Sequence, residues 1–314
     1  MLSTTLIEAP FTATPPSVDT RSLTVHSLID EHVPEVLSFL AARPIHTVIM
    51  AGLIRDNGLV SSRHRGAFYA CRNTKGQLEG IALIGHHTLI EARTEAALAA
   101  FARLLRADSS AYMILAEAET IKRLRIYYSG SGSAPRLICR ELLLEQRCPV
   151  ETHETVGGLR MAAINDLARM IPAHAAMALE DTGINPLEVD PEGFRLRFAR
   201  RIEQKRVWVW TEGERLIFKA DVLAETPEAA YLEGIYVNPE ERGKGYGLRC
   251  LSQLSRSLLA RTRSIVLLVD EQNLAARGLY FKAGYKFRSR YETVFPGKRS
   301  DVRDMPALDK DEIV

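Results

Sequence analysis

The chain has 314 residues, of which 46% are hydrophobic and 25% are charged, and its formal net charge is +2. These values are typical of a folded globular protein and exclude a mainly disordered, collagen-like or polycationic chain. The length predicts about two domains, and the near-neutral charge predicts no bulk attraction to nucleic acid or to an anionic membrane surface.

The four cysteines form no Cys-x-x-Cys pair and show no spacing typical of a metal site. A reduced compartment is the simplest interpretation. Residues 1–20 contain no Lys or Arg ahead of a long apolar stretch, so we expect no secretory signal. The longest plain apolar run, Ala96–Ala102, is far shorter than the roughly 20 residues that a bilayer requires. We therefore predict a cytoplasmic protein that holds no metal and does not bind a membrane.

Four segments are predicted along the chain. Residues 1–20, with three prolines among Ser and Thr, form a flexible lead-in, and residues 297–314 form a polar tail. Between these ends, we predict an N-terminal α/β domain over 21–150 and a second domain over 151–296. A flexible loop is predicted over 130–135.

The N-terminal domain alternates helical and extended patterns. Helices are predicted over Pro34–Ala42, Thr94–Leu105 and Glu119–Tyr127, and strands over Ala67–Arg72, Leu78–His86, Ala111–Ala116 and Arg136–Glu145. This pattern indicates an α/β unit without a catalytic constellation. His86 and His87 are adjacent on a predicted strand and point to opposite faces, so we do not expect them to chelate a metal together.

The C-terminal domain shows the order β, α, α, β, β, β, α, β, α, β. Strands are predicted over Gly158–Ala162, Arg206–Thr211, Arg215–Leu223, Tyr231–Val237, Ser264–Val269 and Tyr285–Phe295, and helices over Ile164–Glu180, Glu192–Glu203, Gly245–Arg261 and Asn273–Ala283. His174 is expected to be a packed histidine. The basic group that includes Arg200 and Arg201 is interpreted as a solvated helix face, with contact to an acidic substrate or to a phosphate as the alternative.

The strand Tyr231–Val237 leads into a glycine-rich turn and then directly into an amphipathic helix. Glycines let consecutive backbone amides approach a phosphate, and the helix N-terminus adds roughly half a positive charge. The turn does not fit a Walker A loop, because Gly245 follows Lys244, or a Rossmann fingerprint, because Leu248 stands where the third glycine is needed. We interpret the turn as an anion cradle; the alternative is that its glycines only build the turn.

The cradle belongs to a larger pattern. Arg242, Gly245 and Gly247 fit the spacing Arg/Gln-x-x-Gly-x-Gly/Ala, after an Ile-x-Val strand end and Asn-Pro-Glu, and a second motif runs from Asn273 to Tyr280. On these motifs, the region from about Gly158 to Phe295 resembles the GNAT superfamily of N-acetyltransferases. The resemblance implies a mixed α/β fold with a mostly antiparallel central sheet flanked by helices.

The resemblance also implies a place for acetyl-CoA. The strand that ends at Val237 is expected to splay away from the strand Ser264–Val269 and to leave a gap for this co-substrate. Main-chain groups of the strand end would pair with the pantetheine arm, and amides of the turn would hold the pyrophosphate. The residues implied in acetyl-CoA binding are Ile235, Tyr236, Val237, Arg242, Gly243, Lys244, Gly245, Tyr246, Gly247, Leu248 and Asn273.

Acetyl transfer to an amine requires a neutral amine, stabilisation of an oxyanion and a proton for the departing thiolate. An alkylamine has a pKa near about 10.4, so a base or a water relay is expected at neutral pH. Glu233 is the candidate base, because strand alternation places it on one face with Ile235 and Val237 and because related enzymes often place a base on this strand. The alternative is a strand carboxylate paired with a neighbouring Arg or Lys. Some related enzymes take their base from a position that is Leu268 in this chain, so that mechanism does not transfer.

Tyr280 is the candidate general acid. It follows Asn273 by seven residues, or two helical turns, which places both side chains on nearly the same side of the helix. A phenol in this place can donate a proton to the leaving sulfur. The alternative is a tyrosine that only packs in the core.

Two functions fit these patterns. The first is an acetyl-CoA-dependent N-acetyltransferase that acts directly on a primary amine of a small molecule or peptide; the second is a sensor that binds CoA or acyl-CoA without turnover. The N-terminal half is compatible with a degenerate copy of the GNAT fold that has lost its glycine cradle. The sequence allows a homodimer and does not identify the amine acceptor.

Overall fold

The computed structural model describes residues 18, 20, 22–108, 110–128, 135–151 and 155–297. Its strands are Leu23–Ser27 (β1), Gly66–Asn73 (β2), Leu78–Gly85 (β3), His87–Ala92 (β4), Met113–Glu117 (β5), Leu137–Gln146 (β6), Arg160–Met161 (β7), Val207–Glu212 (β8), Arg215–Glu225 (β9), Ala230–Val237 (β10), Ile265–Asp270 (β11) and Lys286–Phe295 (β12). Its α-helices are Val33–Leu40 (α1), Pro44–Asn57 (α2), Glu95–Ala107 (α3), Ala118–Tyr128 (α4), Leu167–Thr182 (α5), Pro186–Val189 (α6), Pro191–Glu203 (α7), Tyr246–Leu259 (α8) and Leu274–Lys282 (α9). None of these helices is long and apolar enough to span a bilayer.

The described residues group into two compact units, and each unit is discontinuous in sequence. The first unit lies within Met1–Leu28, Ser61–Cys139 and Glu292–Val314, and the second lies within Ile29–Val60 and Arg140–Tyr291. The second unit therefore includes α1 and α2 from the early part of the chain. The contiguous domains predicted over 21–150 and 151–296 stay a prediction.

Most residues of three predicted segments lie outside the described part of the chain. They are the lead-in over 1–20, the loop over 130–135 and the polar tail over 297–314.

The first unit contains a sheet with the strand order β1, β2, β3, β4, β5. The first four strands pair antiparallel, and β4 then pairs parallel with β5, His87 lying opposite Met113. A parallel pair needs a crossover connection, and α3 provides it. One face of α3, which includes Leu98, Phe101 and Leu105, is buried in the core of this unit.

The second unit contains a sheet with the strand order β6, β11, β10, β9, β8, β7. The pairing of β10 with β11 is parallel, and the other pairings within this sheet are antiparallel. The crossover helix α8 has the predicted apolar face, on which Leu251, Leu254 and Leu258 are fully buried. A second core forms between α5, α7 and the sheet, with Phe194 and Phe198 on α7.

Helix α2 packs directly on β9 in this unit. A Cβ atom added at Gly52 would lie 2.6 Å from the Cβ of Ala224, so only glycine allows this approach. The carboxylate of Asp56 on α2 accepts two hydrogen bonds from Arg206, at 2.5 and 2.7 Å. Both contacts hold α2 against the part of the sheet that carries β9.

Four described elements are absent from the predictions, namely β1, α2, β4 and the one-turn helix α6, which lies in a stretch that was expected to be turn-rich. The stretch His87–Ala92 was expected to connect a strand to a helix and instead forms the strand β4. Helix α2 is apolar around much of its circumference because it is buried on several sides, so it lacks the one-sided spacing that indicates a surface helix. The remaining predicted strands and helices have counterparts whose ends differ by a few residues.

Candidate active site

Strands β10 and β11 separate soon after they begin. They pair at Ala230 with Ile265 and at Tyr231 with Val266, and no further pair joins them among the described residues. Beyond these pairs β10 continues to Val237, so the main chain on its β11 side is open from residue 232 onward. The splay expected from the resemblance is therefore present, and it leaves backbone donors and acceptors available to a ligand.

A β-bulge interrupts β10 opposite β9. Glu233 lies opposite Asp221 and Tyr236 lies opposite Lys219, so two residues of β10 face one residue of β9 between these pairs. Gly234 in the bulge has φ +58°, a left-handed conformation that favours glycine.

The bulge corrects one prediction about β10. Ile235 and Val237 pack on the core that also contains Leu232. Glu233 and Tyr236 instead lie opposite Asp221 and Lys219, two residues of β9 that share one face. The expectation that Glu233 shares a face with Ile235 and Val237 is wrong, because an inserted residue reverses the alternation of side chains.

The glycine-rich turn forms an open concave path into α8. Asn238 begins it by accepting a hydrogen bond from the Glu240 amide at 3.1 Å. Gly243 and Gly245 have φ values of +79° and +83°, and a Cβ at Gly243 would meet nothing within 4 Å. Gly245 is the N-cap of α8 and has no side chain with which to cap it, so the first-turn amides of the helix remain available to an anion.

Several side chains of the turn contact the protein itself. Arg242 Nε donates to the carbonyl of Val237 at 3.2 Å, and Lys244 Nζ lies 2.8 Å from Glu241. The ring of Tyr246 lies beneath the guanidinium of Arg249 at 4.8 Å. These contacts shape the turn and leave recognition of an anion mainly to its amides.

The small residues of α8 and the start of α9 complete this end of the sheet. A Cβ at Gly247 would lie 3.1 Å from Val237 and 3.3 Å from Leu279, so α8 approaches both closely. Leu248 packs partly buried on the core. Asn273 is the N-cap of α9 and accepts a hydrogen bond from the Ala276 amide at 3.0 Å. Its contact with a co-substrate stays a prediction.

Glu233 is held in an ion pair. Its Oε1 lies 2.5 Å from Nη1 of Arg201, and the same nitrogen lies 3.5 Å from Asp221. Arg201 has only 22% of its side chain exposed, so the solvated face expected for it is wrong. The pairing agrees with the alternative interpretation of Glu233, and its role as base stays a prediction.

A buried charged cluster on β9 has no counterpart among the predicted site residues. Lys219 and Asp221 have no exposed side-chain surface and pair at 2.8 Å. They stand two residues apart within an apolar strand, so they share one face. Opposite charges at this spacing in a buried strand are the signal that could have found them, since such residues are almost never fully buried unless they are paired.

His174 of α5 borders this cluster. Its ring stacks on Phe198 at 4.2 Å and on Phe194 at 5.1 Å, so it is the packed histidine that the sequence predicts. Burial lowers the pKa of His174 to about 3, and the positive charges of Lys219 and Arg201 act in the same direction. The imidazole is therefore neutral at pH 7.

Asp181 lies at the end of α5 and was also missed. Although its surface is exposed, partial removal from water raises the pKa of its carboxyl to about 6, and the charges of Glu180, Glu233 and Asp270 raise it further. Two of these charges belong to Glu233, the candidate base, and to Asp270 at the end of β11. No local sequence pattern distinguishes it from an ordinary residue at a helix end.

Tyr280 has 8% of its surface exposed and lies in the main core of the second unit. Burial raises the pKa of its phenol well above the usual value, and the charge of Asp181 raises it further. Within the described part of the chain its hydroxyl makes no hydrogen bond to protein. A protonated phenol with an uncommitted hydroxyl suits a proton donor, although the same burial also fits the packing alternative.

The turn after β11 has a structural role. Asp270 accepts a hydrogen bond from the Gln272 amide at 2.6 Å, which is the kind of strand-end turn that the sequence predicts for it. Leu268 occupies the position from which some related enzymes take their base. Among the described residues, no group of three or more His, Cys, Asp and Glu side chains could hold a metal ion.

Comparison with known proteins identifies the family of this region. Residues 175–285 match the model of the acetyltransferase (GNAT) family. The chain carries a GNAT acetyltransferase domain. The matched residues include the bulge, the glycine-rich turn and Tyr280, so the GNAT motifs coincide with the splayed strands. The predicted enzyme class, a GNAT-type N-acetyltransferase, is confirmed at the level of the family.

Solved structures extend the likeness over most of the chain. A Drosophila protein has a TM-score of 0.63 at 12% identity and covers 88% of this chain and 99% of its own. A tandem GNAT protein from the clavulanic acid biosynthesis pathway has a TM-score of 0.53 at 15% identity, covering 89% and 100%. A GNAT family acetyltransferase from Novosphingobium aromaticivorans has a TM-score of 0.51 at 18% identity, covering 82% and 100%.

These identities are low, so the likenesses concern the fold. The predicted fold class, a GNAT-like sheet flanked by helices with a second α/β domain, is confirmed, and the N-terminal half also aligns with GNAT-like structures. No curated protein matches the chain. As a family, GNAT enzymes use an acyl-CoA co-substrate.

Proposed function

We propose that the second unit binds acetyl-CoA along β10 and transfers the acetyl group directly to a primary amine. The observation that carries this proposal is the end of the β10–β11 pairing at Tyr231 and Val266, just before the bulge and the glycine-rich turn. An open strand edge that leads to an uncapped helix N-terminus suits a ligand with an amide-bearing arm and a phosphate end.

The residues present fit this co-substrate. Gly243 and Gly245 hold the turn in conformations that keep its amides accessible, and a Cβ at Gly243 would meet only open space. The open edge of β10 from residue 232 onward offers main-chain partners for the pantetheine amides. Recognition through the main chain explains why side chains such as Arg242 and Lys244 are engaged with the protein itself.

The chemistry assigns roles to three side chains. The amine nitrogen forms a bond to the thioester carbon, the carbon–sulfur bond breaks, and Tyr280 supplies a proton to the departing thiolate. The incoming amine loses a proton to a carboxylate or to water. Glu233 is the base implied by the family, but it is already paired with Arg201. Asp181 is a second candidate, because a carboxyl with a pKa of about 6 is ionised at pH 7 and still accepts a proton readily.

The test combines binding with turnover. Calorimetry should detect acetyl-CoA binding, and release of the CoA thiol should be measured with a panel of diamines, polyamines, lysine peptides and aminoglycosides. Thiol release that depends on one class of amine is expected. Binding without amine-dependent release would favour the CoA sensor instead, and absence of binding would contradict both functions. The homodimer and the cytoplasmic location stay predictions.

A further inference from the structure

Lys219 is a fully buried cation that the proposed chemistry does not use. Its Nζ lies 2.8 Å from Asp221 Oδ2, donates to the carbonyl of Gly234 at 2.9 Å and lies 5.3 Å from the centre of the Phe198 ring. Removing a lysine from water is costly, and a buried ion pair often stabilises a fold no better than apolar residues of the same size. The contact with Gly234 suggests that this lysine has a different role.

That contact lies at the bulge of β10. Gly234 has φ +58°, and a Cβ there would lie 2.6 Å from Asp221 Oδ2 and 2.8 Å from Lys219 Nζ. The pair on β9 therefore fills the space directly beside the bulged peptide. The hydrogen bond from Lys219 replaces a ladder bond that the bulge removes, so it fixes the plane of the peptide that joins Gly234 to Ile235.

Fixing the direction of the Gly234 carbonyl also fixes the direction of the Ile235 N–H, which is a hydrogen-bond donor. In a trans peptide the carbonyl of one residue and the N–H of the next point in opposite directions. The Ile235 N–H therefore points away from Lys219, and the β11 side of β10 is unpaired at this level. The positive charge of the Lys219 ammonium beside the carbonyl oxygen also polarises the peptide, which makes its N–H a stronger hydrogen-bond donor.

We propose that Lys219 is a positioning residue that orients and polarises the Gly234–Ile235 peptide, so that the Ile235 N–H donates to the carbonyl oxygen of the bound thioester. This inference rests on the proposed function. Asp221 holds the ammonium in place and connects it, through Arg201, to Glu233. A donor aimed at the oxygen where negative charge develops assists the reaction more than it assists binding.

The experiment uses the whole chain and acetyl-CoA labelled with ¹³C at the acetyl carbonyl. In the wild-type protein, binding should displace the ¹³C resonance downfield, because a hydrogen bond polarises the carbonyl. In Lys219→Met most of that displacement should be lost, while the Kd for acetyl-CoA changes by less than about tenfold. The matched control is Lys286→Met, which removes an exposed lysine of the same unit and should leave the resonance at its wild-type position.

Lys219→Met leaves Asp221 buried without its ammonium, so a second variant keeps the test decisive. Lys219→Met/Asp221→Leu removes both charges and replaces the pair with apolar groups, a change that proteins often tolerate. It should lose the displacement as well. A full displacement in either folded variant, or none in the wild-type complex, would overturn the role of Lys219 while acetyl-CoA binding stands. No binding by the wild-type protein would instead remove the proposed function.

Discussion

The two units contain the same strand–helix arrangement with different turns. In the second unit, eight residues separate β10 from α8, and they include two glycines with positive φ. In the first unit, two residues separate β4 from α3, and the Thr94 hydroxyl caps the helix by accepting from the Ala97 amide at 3.3 Å. The dipole of α3 is thus already satisfied by its own chain, so a helix N-terminus in this fold does not by itself make an anion site.

The first turn of α3 also carries a negative charge. Glu95 accepts a hydrogen bond from the Tyr127 hydroxyl at 2.8 Å and lies 3.4 Å from Arg123. A carboxylate in this place repels a phosphate. The corresponding turn of α8 has Tyr246 and Gly247, which present no charge to the cradle.

The strands differ as well. β3 and β4 pair without a register shift from Gly80 opposite Ala92 to Leu83 opposite Leu89. A Cβ at Gly80 would lie 2.7 Å from Phe101, which shows how closely α3 covers this strand. β4 therefore lacks the bulge that β10 has, and it continues for only three residues beyond its last pair with β5, Leu89 with Leu115. The fold alone therefore does not supply the site, which depends on the bulge and on the turn.

The largest expected effect is on kcat, and it should arise from the buried tyrosine of the second unit and not from that of the first. Tyr280→Phe should lower kcat by about 10² to 10⁴, because it removes the proton donor for the thiolate. The Kd for acetyl-CoA should change little. The rates are measured as thiol release with the amine that the panel identifies. An unchanged kcat would leave Tyr280 with a packing role only.

Tyr127→Phe is the matched control for this prediction. Burial, together with Glu95, raises the pKa of Tyr127 to about 12, and its hydroxyl donates to that carboxylate. The control should cost about 1.5–3 kcal/mol of folding free energy, since it removes a hydrogen bond to a charged group, and should leave kcat unchanged. A loss of turnover in both variants would contradict the assignment of catalysis to the second unit.

The next effect tests the cradle. Gly243→Asp places a carboxylate in the turn without a steric clash, and Asp tolerates a positive φ better than most residues. It should weaken acetyl-CoA binding by about 10- to 100-fold, which corresponds to about 1.4–2.8 kcal/mol. Calorimetry measures the change. Gly213→Asp is the control, because Gly213 has φ +59° in open space between β8 and β9; equal losses in both variants would contradict a cradle at Gly243.

Much of the second unit was predictable from the sequence. Pro239 follows the end of β10, and Gly243 and Gly245 precede the start of α8. One apolar face defines α8 over four turns, so both elements were placed within two residues. The splay and the GNAT fold followed from the resemblance that these motifs carry. Local spacing was enough because each of these features depends on residues that are close in sequence.

The remaining features depend on partners distant in sequence. The bulge at Gly234 requires Lys219 and Asp221 on the neighbouring strand, and the ion pair of Glu233 requires Arg201 on α7. Helix α2 joins the second unit through contacts with β9, which lies far from it in sequence. A period of two along β10 cannot show a bulge that is fixed from another strand.

A smaller effect is expected on the pH dependence of the free energy of unfolding, and it comes from His174 beside the charged cluster of the second unit. Between about pH 6.5 and about pH 3 the unfolded chain protonates His174 and the folded chain does not. The unfolded state then binds more protons, so the free energy of unfolding should fall as the pH falls, by about 1.4 kcal/mol per pH unit from this group. His174→Phe keeps a ring beside Phe198 and should show a shallower slope in urea unfolding between pH 6 and pH 4. Parallel slopes would contradict a neutral buried His174.

The smallest expected effect asks whether the first unit binds a second co-substrate once its charge is removed. Glu95→Gln should cost about 1 kcal/mol of folding free energy, because it weakens the contacts with Tyr127 and Arg123 and removes an acidic residue from the start of α3. Calorimetric titration should still give one acetyl-CoA per chain, since Thr94 continues to cap the helix and the turn before it remains two residues long. A second binding event in this variant would show that charge alone had closed the first unit. One site per chain would instead show that the short, capped turn is what prevents the first unit from binding acetyl-CoA, and that a single change of charge does not overcome it.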